Sequence, residues 1–401
     1  MTSYRIATFS ISMWRKIMNK KEIGYYLFAA VYKICSLLPR KKNRVFLIMT
    51  HDSSMEGNVG VVKKYLERSK NDWDCICLKR KDTQFFGKHK LLKLWNFFVK
   101  KAYQLATSSY IFQDNIFLPM AFCKFKKDVK VVQLWHGTGT IKKFGQDSNE
   151  GRLKELEQKA NATTTHLIVN SKEWKEKYSS IFGIDNNRTF VTGLPRTDLL
   201  FQQEEQERRI EEFYKRNPNL IGKKLILYAP TFRDTELGEQ KLHLDLEEML
   251  NTLSEDIVIG LRLHPFVAEK FEYKGSKQER VINVSQEPNL NTLLFVSESL
   301  ITDYSSIIFE YVVLDKPIYF YAYDLEEFSE NGRGFYEQYE SYVPGYVSKT
   351  TTELLEQMSE LRDQEEKRVY WAKRRQEFQQ RNYEFEDGNS TKRLMRLLDI
   401  E

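Results

Sequence analysis

Cysteine is scarce in this 401-residue chain, with only Cys35, Cys75, Cys77 and Cys123. None forms a C-x-x-C, and no spacing matches a zinc site. Cys75 and Cys77 flank one residue in an apolar run, so they share one side of a predicted strand and read as buried thiols in a reducing cytosol. There is no G-x-x-x-x-G-K-S/T, which leaves a P-loop kinase or ATPase unsupported. No G-x-G-x-x-G follows the first predicted strand, which weakens a dinucleotide oxidoreductase, and the lack of G-x-S-x-G disfavours an α/β-hydrolase. Carboxylates do not cluster as in a metal-dependent phosphoryl site, so metal-free electrostatic catalysis is the expectation and no metal or cofactor is implied. Neither a short repeat nor a low-complexity tract is present.

Basic charge is present but confined to one end. Residues 1–44 hold ten Lys or Arg against one acid, Glu22, so this segment carries +9 of a chain total of +6 and the remainder carries −3. A chain-long nucleic-acid groove is therefore not expected. From Ile23 to Leu38 runs a mostly apolar stretch containing Lys33; Pro39 ends it, and Arg40, Lys41, Lys42 and Arg44 follow. It is too short to span a bilayer comfortably, and a basic cluster stands where a signal peptide would need small residues. An interfacial helix on an anionic membrane surface is expected; a helix packed on the first domain is the alternative.

Short apolar runs alternate with longer amphipathic ones. Predicted strands are Val45–Met49, Cys75–Leu78, Tyr110–Phe112, Val129–Leu134, His166–Val169 and Phe190–Thr192. After a charged stretch, Gln202–Asn219, come Lys224–Tyr228, Ile257–Leu263, Val281–Asn283, Ser299–Thr302 and Ile318–Tyr321. Helices are predicted between them, among them Leu91–Ala106, Ser171–Phe182, Asp245–Leu253 and Ser305–Leu314, and the charged end Glu353–Ile400 reads as helical. This alternation implies βαβ units and parallel sheets in two Rossmann-like domains facing a central cleft. The boundaries expected are 1–44, 45–215, 216–375 and 376–401.

Ligands gather beyond the carboxyl ends of parallel strands, and five predicted strand ends deliver polar residues there. They are Trp135-His136-Gly137-Thr138-Gly139-Thr140, Gly193-Leu194-Pro195-Arg196-Thr197-Asp198, Ala229-Pro230-Thr231-Phe232-Arg233-Asp234, Arg262-Leu263-His264-Pro265 and Asp303-Tyr304-Ser305-Ser306. The last leads into an apolar helix, whose N-terminus would offer free N–H groups and two hydroxyls to a diphosphate; simple capping by Asp303 and the serines is the other reading. His136 has the chemistry to take a proton from an alcohol. Lys142 and Lys143 could hold an anionic acceptor or remain solvated. Arg262 and His264 could neutralise a leaving phosphate, or be a salt-bridged arginine and a packed histidine. His51, His89, His166 and His243 are left structural, although His51 follows the first strand.

In this order, these segments, with Lys142-Lys143-Phe144-Gly145, Lys316-Pro317, Gly332-Arg333-Gly334-Phe335 and Pro344-Gly345, resemble the CDP-glycerol glycerophosphotransferase family, which includes primases and polymerases of glycerol- and ribitol-phosphate teichoic acids. The likeness covers roughly residues 25–375. The resemblance implies a GT-B-like fold and a peripheral enzyme at the cytoplasmic face of the cell membrane. It implies transfer of glycerol phosphate or ribitol phosphate from CDP-glycerol or CDP-ribitol to a lipid-linked teichoic acid precursor, with release of CMP. The N-terminal domain would bind the acceptor and the C-terminal domain the donor. His136 and His264 would be catalytic, His136 as base; Thr231, Arg233, Arg262, Asp303, Ser305 and Ser306 would bind the donor; Gly137, Thr138, Lys142 and Arg196 would serve the acceptor or phosphate. Where the family's turn after His-Gly-Thr often carries proline, Gly139 stands here. The chain also lacks the long extra amino-terminal domain of some large polymerases, so a compact member is expected. A nucleotide-sugar transferase or epimerase of GT-B type and a non-catalytic, membrane-docked polyanion-binding protein remain alternatives. Glycerol or ribitol, primase or polymerase, and monomer or homo-oligomer are left open.

Overall fold

The computed structural model describes residues 21–231, 233, 242–268, 271–331 and 334–400. Residues 1–20 of the basic segment, Phe232 and Asp234 of the third strand-end motif, and Gly332 and Arg333 lie outside them.

Two compact units emerge. The first contains the chain through His136, Phe144–Arg196 and Asn389 onward; the second contains Gly137–Lys143 and Thr197–Gly388. Each is built on a six-stranded, fully parallel sheet. In unit 1 the strands are β1 (Lys41–Met49), β2 (Asp74–Lys79), β3 (Ser108–Gln113), β4 (Lys130–Gln133), β5 (His166–Val169) and β6 (Thr189–Val191), in the order β2-β1-β3-β4-β5-β6. In unit 2 they are β7 (Lys224–Ala229), β8 (Ile257–Leu261), β9 (Val281–Asn283), β10 (Ser297–Thr302), β11 (Ile318–Tyr321) and β12 (Tyr346–Ser348), in the order β12-β11-β10-β7-β8-β9.

Burial on both sheet faces explains why the strands read as continuous apolar runs. Along β1, Phe46 and Ile48 join a core with Leu78, Phe97, Leu105 and Ile111. The alternate residues Val45, Leu47 and Met49 join the opposite core with Val62, Phe112 and Val132. Ile226, Tyr228, Ile259, Leu261 and Ile301 anchor the core of unit 2. Burial raises the Cys75 thiol to about 11 and the Cys123 thiol to about 12, which keeps both protonated at neutral pH.

Several expected elements differ in detail. The helix expected over Leu91–Ala106 runs from Lys90 to Ala106 but widens into a π turn over Asn96–Lys101. The expected Ser305–Leu314 helix is only Ile308–Tyr311 followed by a 3-10 turn, Val312–Leu314. Position 215 does not divide the units. The charged stretch forms a helix, Gln203–Arg216, that belongs to unit 2, where Arg216 pairs with Glu287 at 2.9 Å. Nor is 376–401 one helix: Glu365–Asn382 ends inside unit 2, and Ser390–Leu397 places Leu394, Met395 and Leu398 in the core of unit 1.

Residues 21–35 form a helix. Phe28, Ala29 and Tyr32 are buried in the core of unit 1, so one face packs as the alternative reading required. Four of its apolar residues, Ile23, Tyr26, Leu27 and Ile34, are exposed. Among the described residues, no helix is long and apolar enough to cross a membrane.

Candidate active site

Strand order in unit 1 reverses between β1 and β3, and such a reversal opens a crevice at the strand carboxyl ends. Asp114 follows β3 there. Its buried carboxylate accepts the main-chain N–H groups of Thr50 (3.1 Å), His51 (3.2 Å) and Asp52 (2.9 Å), the three residues that follow β1. Burial nevertheless outweighs these donors and raises Asp114 to about 6.

His136 follows β4 in the same unit. Its Nδ1 lies 3.0 Å from the main-chain carbonyl of Asp114. A carbonyl can only accept, so Nδ1 carries the proton and Nε2 of the neutral ring carries the lone pair. His51 lies flat on this ring, with centroids 3.4 Å apart and planes 10° apart. Burial, followed by the influence of His51 and Arg196, lowers His136 to about 3, so it is neutral at physiological pH. An unperturbed imidazole titrates near 6.5; desolvation accounts for most of the difference.

The turn bearing His136 is held from several sides. Trp135 has φ +57°, a left-handed conformation that costs a side-chain-bearing residue about 1–3 kcal/mol. The Gln133 side chain accepts its N–H at 2.9 Å, and buried Asn58 donates to the carbonyls of Leu134 and Trp135 at 3.2 and 3.0 Å. Asn58 also accepts the N–H of Arg196 at 3.0 Å, and the Arg196 guanidinium donates to the carbonyl of His136. Arg196, expected to serve the acceptor or phosphate, therefore braces the turn that carries His136.

In unit 2 the order reverses between β7 and β10, whose ends carry Thr231 and Asp303. Asp303 accepts the N–H of Thr231 at 2.8 Å, joining the two tips. Arg233, only 8% exposed, pairs with Asp303 at 2.9 Å and with Asp324 at 2.7 Å, and it lies within 5.1 Å of the Tyr304 ring centroid. Its charge is thus neutralised inside the fold, so Arg233 and Asp303, both expected to bind the donor, are engaged with each other. Arg262 is likewise committed, because one of its terminal nitrogens donates to the carbonyls of Val284, Ser285 and Glu287 at 3.2, 2.6 and 2.7 Å.

The other expected donor residues differ in exposure. His264 and Ser306 are exposed. Ser305 is half-buried and its Oγ accepts the N–H of Ile307 at 3.3 Å. The Thr231 hydroxyl is buried and has no partner among the described residues. The single helical turn that follows makes the dipole contribution weaker than the longer predicted helix implied.

Segment Gly137–Lys143 belongs to unit 2. Gly137 is buried there, and the hydroxyl of Thr138, expected to serve the acceptor or phosphate, donates to buried Glu310 at 2.7 Å. Lys142 Nζ sits 5.3 Å from the Phe328 ring centroid. At Gly139 an added Cβ would fall 2.5 Å from the Phe309 ring, so the large phenyl group accounts for the glycine where the family often has proline. Among the described residues, no group of three or more His, Cys, Asp or Glu is arranged to hold a metal ion.

The model of the CDP-glycerol:poly(glycerophosphate) glycerophosphotransferase family matches residues 30–399. The chain belongs to this family. It is 31% identical to a teichoic acid poly(ribitol-phosphate) polymerase of Bacillus spizizenii over 84% of this chain and 54% of that one, so it spans about half the length of that relative. It is 32% identical to a teichoic acid glycerol-phosphate primase of Bacillus subtilis over 75% of this chain and 76% of that one. The solved wall teichoic acid polymerase TagF shares the fold at a TM-score of 0.73 and 22% identity, covering 97% of each chain. For this glycerophosphotransferase-family chain, sequence reasoning missed Asp114 and Asn58 and left His51 structural. Applying the strand-tip rule to β1 and β3 would have exposed His51 and Asp114; Asn58 gives no such signal.

Proposed function

We propose that this chain transfers an alditol phosphate from CDP-glycerol or CDP-ribitol to a lipid-linked teichoic acid acceptor. The observation that carries the reading is the His136 ring, whose Nδ1 is engaged by a carbonyl and whose Nε2 holds the lone pair. An acceptor hydroxyl would lose its proton to Nε2 as its oxygen bonds to the alditol-bearing phosphorus and the bond to CMP breaks. His264, Ser305, Ser306 and the Thr231 hydroxyl would hold the donor diphosphate. Stabilising charge on the phosphoryl oxygens is the larger part of such catalysis. The test is incubation with each CDP-alditol and a lipid-linked acceptor, with product length read by mass spectrometry. Release of CMP with a phosphodiester product supports the reading, and no turnover of either donor overturns it. CDP should also protect the protein against heat better than UDP; the reverse order would favour a nucleotide-sugar enzyme.

We further propose that unit 1 rests on the anionic cytoplasmic face of the cell membrane. Helix 21–35 lies beside the helix that begins at Lys90, with the rings of Phe28 and Phe97 5.1 Å apart. Both leave large apolar groups exposed: Ile34 is 69% exposed, Leu91 82% and Trp95 55%. Lys33, Lys88, Lys90 and Lys93 stand among them, which suits anionic headgroups. Deleting residues 1–39 would also strip Phe28 and Tyr32 from the core, so surface substitutions give the cleaner test. Leu91→Asp with Trp95→Asp is expected to reduce flotation with phosphatidylglycerol vesicles by about tenfold or more, because each large side chain contributes roughly 1.5–3 kcal/mol when buried. Equal flotation of variant and parent would overturn the assignment.

A further inference from the structure

We propose that His51 and Asp114 are positioning residues for His136, with the stacked imidazole setting its ring plane and the aspartate setting both its tautomer and the loop that carries His51. This rests on the reading of His136 as the acceptor's base. One residue, Asp114, acts in two directions. Its carbonyl receives Nδ1–H of His136 at 3.0 Å, while its carboxylate gathers three consecutive N–H groups, including that of His51. The main chain of His51 is therefore fixed to the same residue that orients His136. A ring spacing of 3.4 Å with planes 10° apart then restricts tilting of the base.

The arrangement also suits proton transfer. When the acceptor proton arrives on Nε2, the imidazole becomes cationic and its Nδ1–H bond to the Asp114 carbonyl becomes charge-assisted and stronger. The charged groups acting on His136 are Asp52, which favours the imidazolium, and Arg196, which opposes it; Arg80 acts on His51. His51 opposes the imidazolium and, by lying on the ring, limits its contact with water. Removing His51 should therefore make His136 easier to protonate.

Two measurements test this on the full chain. In protein carrying 15N-histidine, the nitrogen shifts of His136 should report the Nδ1–H tautomer. For His51→Ala, the His136 titration and the acidic limb of kcat/KM should both move up by about one pH unit or more, because the ring gains solvent. His51→Phe, which restores a flat ring, should bring both back toward the parent values. Asp114→Asn, which weakens the loop clamp but keeps the carbonyl, should move the limb in the same direction by less. An Nε2–H tautomer, or a His51→Ala titration that superimposes on the parent, would overturn the proposal. The nitrogen measurement needs no turnover. An enzyme that transfers neither alditol phosphate would remove the functional reading while the positioning question is still decided.

Discussion

Alanine at position 136 is expected to lower turnover of a CDP-alditol by about 10²–10⁴-fold, the usual contribution of a positioned general base. The effect should appear equally in kcat and kcat/KM, because proton removal is an interaction made only in the transition state. Donor affinity, measured with CDP, should change by no more than a factor of a few, since the proposed diphosphate contacts come from Thr231, His264, Ser305 and Ser306. The fold should survive: the Trp135 turn is held by Gln133 and Asn58, and neither bond uses the His136 ring. The pH profile gives a second check. A base is inactivated by protonation, and burial lowers His136 to about 3, so kcat/KM should show no acidic limb from this residue near 6.5. A limb there would mean that another group is the base. Near-parental turnover by His136→Ala would end the assignment.

The strands were legible because their residues face two cores. Runs such as Val45–Met49 leave no polar position, and each of the eleven predicted strands is present. The twelfth, Tyr346–Ser348, is a three-residue edge strand with only Ser348 fully buried, so it lacks that signature. Strand order was not legible. Nothing in the sequence places β1 next to β3, yet that adjacency brings Asp114 to the residues after β1. The same gap hides the partners of the arginines. An arginine at a strand tip looks alike whether it meets a phosphate or a carboxylate from a distant segment; Asp324 lies 91 residues beyond Arg233. In the helix at 21–35, core residues Phe28 and Tyr32 are four apart, while Ile23, Leu27 and Ile34 are exposed. Apolar content alone could not assign the two faces separately.

Removing the Arg233 side chain distinguishes a structural ion pair from a donor contact. Arg233→Ala leaves Asp303 and Asp324 without their shared cation, and breaking a buried pair from one side typically costs about 3–5 kcal/mol. For a unit of this size that corresponds to a fall in Tm of about 6–20 °C. Lysine should rescue only part of it, because the arginine engages both carboxylates and also donates to the Thr231 carbonyl at 2.6 Å. The pH dependence should change sign. In the parent, burial would raise Asp324, but Arg233 and the Tyr304 hydroxyl offset it and hold the carboxyl below its usual value. A depressed carboxyl contributes stability above its unfolded value and loses it as pH falls through the folded one, so the parent should weaken only in strong acid. Without Arg233, the largest opposition to burial is gone and the Asp324 carboxyl rises. The folded variant then binds protons more readily than its unfolded chain, and it should gain stability as pH drops from about 7 to 5. Circular-dichroism melts across that range decide the matter. A variant that melts like the parent but has lost CDP affinity would restore Arg233 to the donor site.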